Sequence, residues 1–161
     1  MHLQVLMVAC ALCTINAYEL GAPKEACSDM IPQHHTPPQT SPLPYTIHVE
    51  KTQVKGGEKV NIIISGTEEA KNFKGFFVQA RVGNIPIGKF DAAPDVKLVD
   101  CGDSQASGAT HSSAAVKDFV TLTWNAPPGL SETVRFRVTV AQDGGTFWVG
   151  HLSAPLIVKS H

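Results

Sequence analysis

The sequence has few charged residues and almost no excess of either sign. Charged residues make up 17% of the 161 residues, and the formal net charge is −1 when histidine is counted as neutral. A chain without a basic excess has no general attraction for nucleic acid or for an anionic membrane surface. We therefore expect no nucleic-acid partner, and any binding that depends on charge must come from a local group of side chains.

Motifs that carry catalysis are also missing. The sequence contains no HExxH motif and no GxSxG nucleophile elbow. His111, Ser112 and Asp103 could be combined into a triad on paper, but a triad is defined by its geometry in space. Sequence neighbours in a stretch rich in glycine, alanine and serine rarely supply that geometry. We expect no catalytic residue and predict that the chain is not an enzyme.

The histidines are the remaining candidates for a metal site. His34 and His35 are adjacent, and His111 and His151 are possible further ligands. Adjacent residues in an extended chain point to opposite sides, so one ion could hardly bind both members of the pair. We therefore interpret them as loop histidines with local contacts, and we predict neither a metal ion nor another cofactor.

Long apolar runs are absent apart from one at the N-terminus. Residues 3–15 (LQVLMVACALCTI) are almost entirely apolar and are followed by the small residue Ala17. A run of this length is typical of the core of a signal peptide and is too short to span a bilayer. The sequence predicts a signal peptide over residues 1–17 and no membrane span. The mature chain, residues 18–161, is then secreted and begins at Tyr18.

Cysteine is scarce, with four residues in the chain. Cys10 and Cys13 lie in the predicted signal peptide. Cys27 and Cys101 remain in an oxidising compartment, where two thiols of a small domain usually pair. Their bridge would close a loop of roughly 75 residues, for which the chain-entropy model gives a stabilisation of about 4–5 kcal/mol. The Asn-x-Ser/Thr pattern is absent too, so we expect no N-linked glycan.

Proline divides the mature chain into two parts. Residues 18–44 contain six prolines, which lack a backbone N–H donor, so this segment is predicted to be extended or turn-like without pairing in a sheet. From residue 45 onward, apolar and polar residues alternate with a period of two, which is typical of strands with one buried face. The alternating stretches are residues 45–50, 60–64, 76–82, 120–124 and 133–140.

This alternation predicts an all-β fold. Turn residues separate about seven short strands, and no stretch has a helical period. The sequence therefore predicts one domain, an immunoglobulin/fibronectin-like antiparallel β-sandwich over residues 45–158 with one disulfide. Trp124 is in phase with Val120 and Leu122, so we expect it to be buried between the sheets. Residues 102–117 are small and polar, and we predict a long loop there.

Six segments, in this order, resemble the reeler domain: GAPKEACSDMIPQHH, SPLPYTI, GFFVQAR, VDCGDSQASGATHSS, VTLTWNAP and TFWVG. The resemblance covers residues 20–158. It implies an immunoglobulin-like sandwich with a Cys27–Cys101 bridge and a role in innate immunity, as in the secreted single-domain insect proteins associated with infection and haemocyte nodule formation. Reelin and ferric-chelate-reductase-like proteins also contain reeler domains, beside further repeats, haem-binding or transmembrane parts. We find none of those parts here and expect no redox function.

Two predicted strands carry a basic strip. Gln79 and Arg81 share one face of the first strand, and Arg135 and Arg137 share one face of the second. In an immunoglobulin-like sandwich these strands, C and F, are neighbours, so their outward residues would form one surface with Phe77 nearby. Arginine binds phosphate and carboxylate groups in a fork. We predict a solvent-facing binding surface for anionic molecules, and the alternative is an ordinary solvated sheet face.

The predicted function is that of a secreted defence protein that promotes an antimicrobial or nodulation response. Its expected partners are microbial envelope components, namely lipopolysaccharide, lipoteichoic acid and β-glucan, or the haemocyte surface. The alternative is an extracellular matrix or developmental interaction domain that binds a host protein. No cationic amphipathic helix is visible in the sequence, so we expect binding rather than direct membrane damage.

Overall fold

The computed structural model describes residues 20–160. The predicted signal peptide, its cleavage site before Tyr18, and Cys10 and Cys13 lie outside the described residues. Within residues 20–160, no helix is long and apolar enough to cross a membrane. The first strand begins at Thr46, so the described part of the proline-rich segment contributes no strand, as the sequence predicts.

Twelve β-strands and one short 3-10 helix, Lys24–Cys27, make up the regular structure of residues 20–160. The strands are β1 (Thr46–Val49), β2 (Gln53–Lys55), β3 (Lys59–Ser65), β4 (Gly75–Val82), β5 (Ile85–Pro86), β6 (Lys89–Phe90), β7 (Val96–Cys101), β8 (Ser104–His111), β9 (Phe119–Asn125), β10 (Glu132–Ala141), β11 (Phe147–Leu152) and β12 (Leu156–Lys159). The all-β prediction is confirmed.

The strands form two sheets. Sheet A has the order β1-β3-β9-β6, and sheet B has the order β2-β12-β10-β4-β8-β7, with β11 paired to β10 and β5 paired to β4. The pairing of β12 with β2 is parallel. The neighbouring pairs β3–β9 and β10–β4, which form the centres of the two sheets, are antiparallel.

The main core lies where apolar side chains of both sheets meet. Ile62 and Leu122 of sheet A belong to the same buried cluster as Val78 and Phe136 of sheet B. Trp124 lies at the centre of this contact and is 0% exposed. Its ring meets that of Phe136 edge to face, with a centroid distance of 5.5 Å, and its Nε1 donates to the carbonyl of Ile87 at 3.0 Å. The predicted burial of Trp124 is confirmed.

The prediction of a loop over residues 102–117 is wrong for half of that stretch. Strand β8 occupies Ser104–His111 and pairs with both β4 and β7. Gly108 in this strand has a steric reason, because a Cβ atom there would lie 2.9 Å from the ring of Phe77. Alanine, glycine and serine have low strand propensity, so tertiary packing rather than local preference specifies this strand.

Strand β4 is buried on both faces, which the simple alternation does not predict. Seven of its eight residues are buried, from Gly75 to Arg81. One face contacts the core between the sheets. The other lies beneath residues 22–34, here called the covering segment, whose Ala26 and Met30 pack with Phe77 in a second apolar cluster.

Candidate functional site

The outer face of sheet B carries all five predicted binding residues. Strands β4 and β10 are neighbours, with Arg81 opposite Arg135 and Gln79 opposite Arg137. Phe77 lies two residues before Gln79, and residues two apart along a strand share a face. The predicted adjacency of these two strands is therefore confirmed.

The prediction that this face is open to solvent is wrong for three of the five residues. Gln79 is 0%, Arg81 is 4% and Phe77 is 3% exposed. The cause is the covering segment, which lies in the proline-rich stretch that the sequence predicts to be extended and unpaired. Arg135 is exposed and Arg137 is half-buried. A ligand on this face would therefore reach the two arginines of β10 before Arg81 of β4.

Arg81 holds the covering segment in place. Its Nε donates to Oε1 of Gln79 at 2.7 Å, and its Nη2 donates to the carbonyls of Cys27 and Ser28 at 2.7 and 3.3 Å. Gln79 in turn donates from Nε2 to the same Cys27 carbonyl at 2.8 Å. Burial lowers the pKa of the Arg81 guanidinium, and the positive charge of Arg137 lowers it further. The hydrogen-bond acceptors of Arg81 are neutral.

The disulfide fixes the same segment. Cys27 and Cys101 are bonded, with their Cα atoms 5.5 Å apart and a sequence separation of 74. Cys101 ends β7, so the bridge joins the covering segment to sheet B. Two hydrogen bonds add to it, from the amide of Ala22 to Oγ1 of Thr110 at 3.0 Å and from Oγ1 of Thr139 to the carbonyl of Met30 at 2.8 Å.

A cavity of about 260 Å³ lies between the covering segment and the end of the outer face that is remote from Arg81. Most of its wall is apolar, and its polar wall residues come from both sides. The apolar wall includes Ala22, Ala26, Met30, Ile31, Phe77 and Ala141, and the titratable wall residues are His34, Lys74, His111 and Asp143. Sequence reasoning did not predict this cavity.

One sequence signal for the cavity was available but could not be interpreted alone. Gly75 and Ala141 are directly opposite each other on β4 and β10, so two small residues share the outer face there. A Cβ atom on Gly75 would lie 2.8 Å from Cε1 of His111. The ring of His111 therefore occupies the space beside Gly75, and both residues belong to the cavity wall together with Ala141. Only the course of the covering segment reveals that this space is enclosed.

The histidines do not form a metal site in the part of the chain that the structure describes. No group of three or more His, Cys, Asp or Glu side chains is placed to hold an ion within residues 20–160. His34 packs against Phe147 with ring centroids 5.5 Å apart, and burial lowers its pKa. Nδ1 of His111 accepts from the amide of Phe76 at 3.1 Å. Burial also lowers the pKa of His151.

The candidate catalytic triad of Asp103, His111 and Ser112 does not assemble, because its residues do not converge. Asp103 lies in the turn before β8, and His111 is the last residue of that strand. Eight residues of extended chain separate them by roughly 26 Å, at about 3.3 Å per residue. His111 and Ser112 therefore lack a nearby carboxylate from Asp103.

Known proteins share this fold and much of the sequence. The model of the Reeler domain family matches residues 25–161. "Putative defense protein Hdd11" of Hyphantria cunea is 36% identical over 160 residues, which cover 96% of this chain and 97% of that protein. Ferric-chelate reductase 1 of Mus musculus is 32% identical over 161 residues, or 96% of this chain, but the match covers 26% of that protein.

A solved structure supports the fold independently. The crystal structure of the human F-spondin reeler domain superposes with a TM-score of 0.60 at 18% sequence identity, over 77% of this chain and 94% of that one. At this identity the likeness concerns the fold alone. The family match and the full-length sequence similarity to the Hyphantria protein go further, and they show that this chain belongs to the reeler domain family.

Proposed function

We propose that the protein is a secreted defence protein that binds anionic molecules of microbial envelopes and so promotes an antimicrobial or nodulation response. Relatives that match over nearly their whole length carry the name of defence proteins, which supports a defence role. The expected ligands are lipopolysaccharide and lipoteichoic acid, whose phosphate groups suit the arginine fork.

Secretion is part of the proposal. The predicted signal peptide, residues 1–17, and the single domain over residues 18–161 remain predictions from the sequence. The Cys27–Cys101 disulfide supports them, because such bridges persist mainly in oxidising, extracellular compartments.

The observation that carries the binding proposal is the pair Arg135 and Arg137, here called the arginine pair. Both side chains lie on the part of the outer face that the covering segment leaves accessible, beside the buried Arg81. Within residues 20–160 the one ion pair is that of Lys59 with Asp91, so the arginine pair has no carboxylate within 4.0 Å there. Three neighbouring guanidinium groups without a counter-ion favour an anionic ligand.

We also infer an immunoglobulin-type topology for the sandwich. The sheet A order β1-β3-β9-β6 corresponds to the A-B-E-D sheet of that fold, and the run β12-β10-β4 corresponds to G-F-C. In this assignment β4 and β10 are the C and F strands, and the arginine pair lies on the outer face of F.

The arginine pair is tested with the double variant Arg135→Ser/Arg137→Ser. We expect weaker binding to lipopolysaccharide and lipoteichoic acid, with a smaller dependence on salt, because screening acts on the charge attraction. Binding to β-glucan, which is neutral, should change little. Arg135 is exposed, Arg137 is half-buried, and neither is in an ion pair within residues 20–160. Because surface charges of this kind contribute little to folding, the melting temperature should stay close to that of the parent.

A matched control is available on the far edge of sheet B. Lys55 and Lys159 are exposed and directly opposite each other on β2 and β12, so Lys55→Ser/Lys159→Ser removes the same net charge elsewhere. Equal loss of binding in both double variants would show that net charge, not the arginine pair, governs the interaction. Unchanged binding in the arginine variant would contradict the proposed site. Binding to host proteins but not to microbes would favour the matrix alternative.

A further inference from the structure

We propose that the cavity between the covering segment and sheet B binds a medium-length acyl chain whose anionic head lies beside Lys74. The inference goes beyond the proposed function, because the cavity is separate from the arginine pair and neither site needs the other. The shared chemistry is an unbranched hydrocarbon chain with an acidic end, whether it is a free fatty acid or part of a larger lipid.

The volume and wall chemistry of the cavity match such a chain. A dry cavity of about 150 Å³ is already large enough to hold benzene. A group the size of a water molecule takes about 30 Å³, so the volume of this cavity corresponds to about nine such groups. Its volume is about 260 Å³. The wall is mostly apolar and includes Met30, Phe77 and the half-buried Ala141. Such a wall gains by excluding water and offers few hydrogen bonds to a polar ligand.

The cavity is formed before any ligand arrives. The covering segment is tied to sheet B by the Cys27–Cys101 bridge and by the hydrogen bonds of Arg81 described above. Two further hydrogen bonds attach it, that of Ala22 to Thr110 and that of Thr139 to Met30. Ala22 and Met30, which make two of these attachments, are themselves residues of the cavity wall. A preformed site does not lose binding free energy to ordering its own backbone.

The charged wall residues determine which head group the ligand can carry. Lys74 is exposed and has no carboxylate within 4.0 Å among the described residues, so its ammonium is available to an acid group at the mouth. Asp143 is also a wall residue, and its Oδ1 accepts the amide of Gly145 at 2.8 Å within its own turn. The Asp143 carboxylate repels an anionic head and therefore weakens binding that Lys74 strengthens.

Decanoate is the probe for the acyl chain of the ligand. Its binding is measured by isothermal titration calorimetry on the full mature protein. Ala141→Phe places a ring in the cavity from the end of strand β10. We expect it to weaken decanoate binding by at least about tenfold, because the ring takes the space of several buried methylene groups. Ala114→Phe fills the cavity from a loop and serves if the first variant is unstable. Ala92→Phe, at an exposed position outside the cavity, should bind like the parent.

The head group is tested separately. Lys74→Gln should weaken decanoate several-fold but leave decanol unchanged, and Asp143→Asn should strengthen decanoate. Lys71→Gln removes an exposed lysine that is not part of the wall and should have no effect. Equal effects of Lys74→Gln on acid and alcohol would overturn the assignment of the head.

The source of the chain is distinguished by comparing decanoate with intact and fully deacylated lipopolysaccharide. If the cavity binds acyl chains of microbial lipids, Ala141→Phe weakens intact lipopolysaccharide and leaves the deacylated form unchanged. If it binds free fatty acids only, decanoate alone responds. The Arg135→Ser/Arg137→Ser variant should bind decanoate normally, which separates this inference from the proposed function. The inference would be refuted if the parent did not bind decanoate, or if both cavity-filling variants bound it as tightly as the parent.

Discussion

Trp124→Ala is expected to lower the free energy of unfolding by about 3–5 kcal/mol, the range for truncating a large buried aromatic residue. The ring is fully buried between the two sheets, packs edge to face on Phe136 and donates a hydrogen bond to Ile87. The variant loses these contacts and leaves a cavity that the surrounding strands fill only partly. Urea denaturation followed by circular dichroism measures the change.

Phe119→Ala is the matched control for that variant. Phe119 begins the same strand, β9, but its side chain is 65% exposed. Its truncation should change the stability by less than about 0.5 kcal/mol, as is usual for surface positions without special contacts. Similar losses in the two variants would mean that the two sheets do not meet at Trp124.

Loss of the disulfide is expected to have the second large effect. Replacement of both cysteines, Cys27→Ser/Cys101→Ser, should cost about 2–5 kcal/mol, because the unfolded chain gains the freedom that the closed loop removes. The double variant avoids a free thiol that could react with another molecule. Mass spectrometry of the secreted parent should show the Cys27–Cys101 linkage and a start at Tyr18.

The bridge variant also has a local signature. Once the covering segment is released more often, the amides of β4 and β8 beneath it should exchange their hydrogens faster than those of β3 and β9 in sheet A. The parent treated with a reductant serves as a second route to the same state. An unchanged stability together with unchanged exchange would show that Arg81 and the hydrogen bonds of Ala22 and Thr139 hold the segment without the bridge.

The period-two alternation was sufficient to predict the all-β class and the burial of Trp124, because each central strand has one face in the core. It failed at β4, where alternation assigns Arg81 to solvent. The alternation records only which side chains are apolar, and it contains no information on a distant segment that folds over the polar face. Arg81 is buried because its guanidinium finds the Cys27 and Ser28 carbonyls more than fifty residues earlier.

The cavity and strand β8 could not be predicted from the sequence for a related reason. The small residues of β8 have low strand propensity, and Gly108 is required there because the ring of Phe77 leaves no room for a side chain. Gly75 and Ala141 belong to the wall of a cavity, and that cavity exists only because the covering segment closes it from outside. In each case the deciding contact is made by residues far away in the chain.

The order of synthesis has a consequence for how this chain folds. The covering segment leaves the ribosome before the strands on which it packs, because its hydrogen-bond partners lie 88 residues later for Ala22 and 109 residues later for Met30. Contacts of such long sequence separation form late and slow the folding rate. We therefore expect a transient species in which the sandwich has assembled while Phe77, Gln79 and Arg81 are still uncovered. That species exposes an apolar side chain on a sheet face, and it is the stage at which newly made chains are most prone to associate with one another.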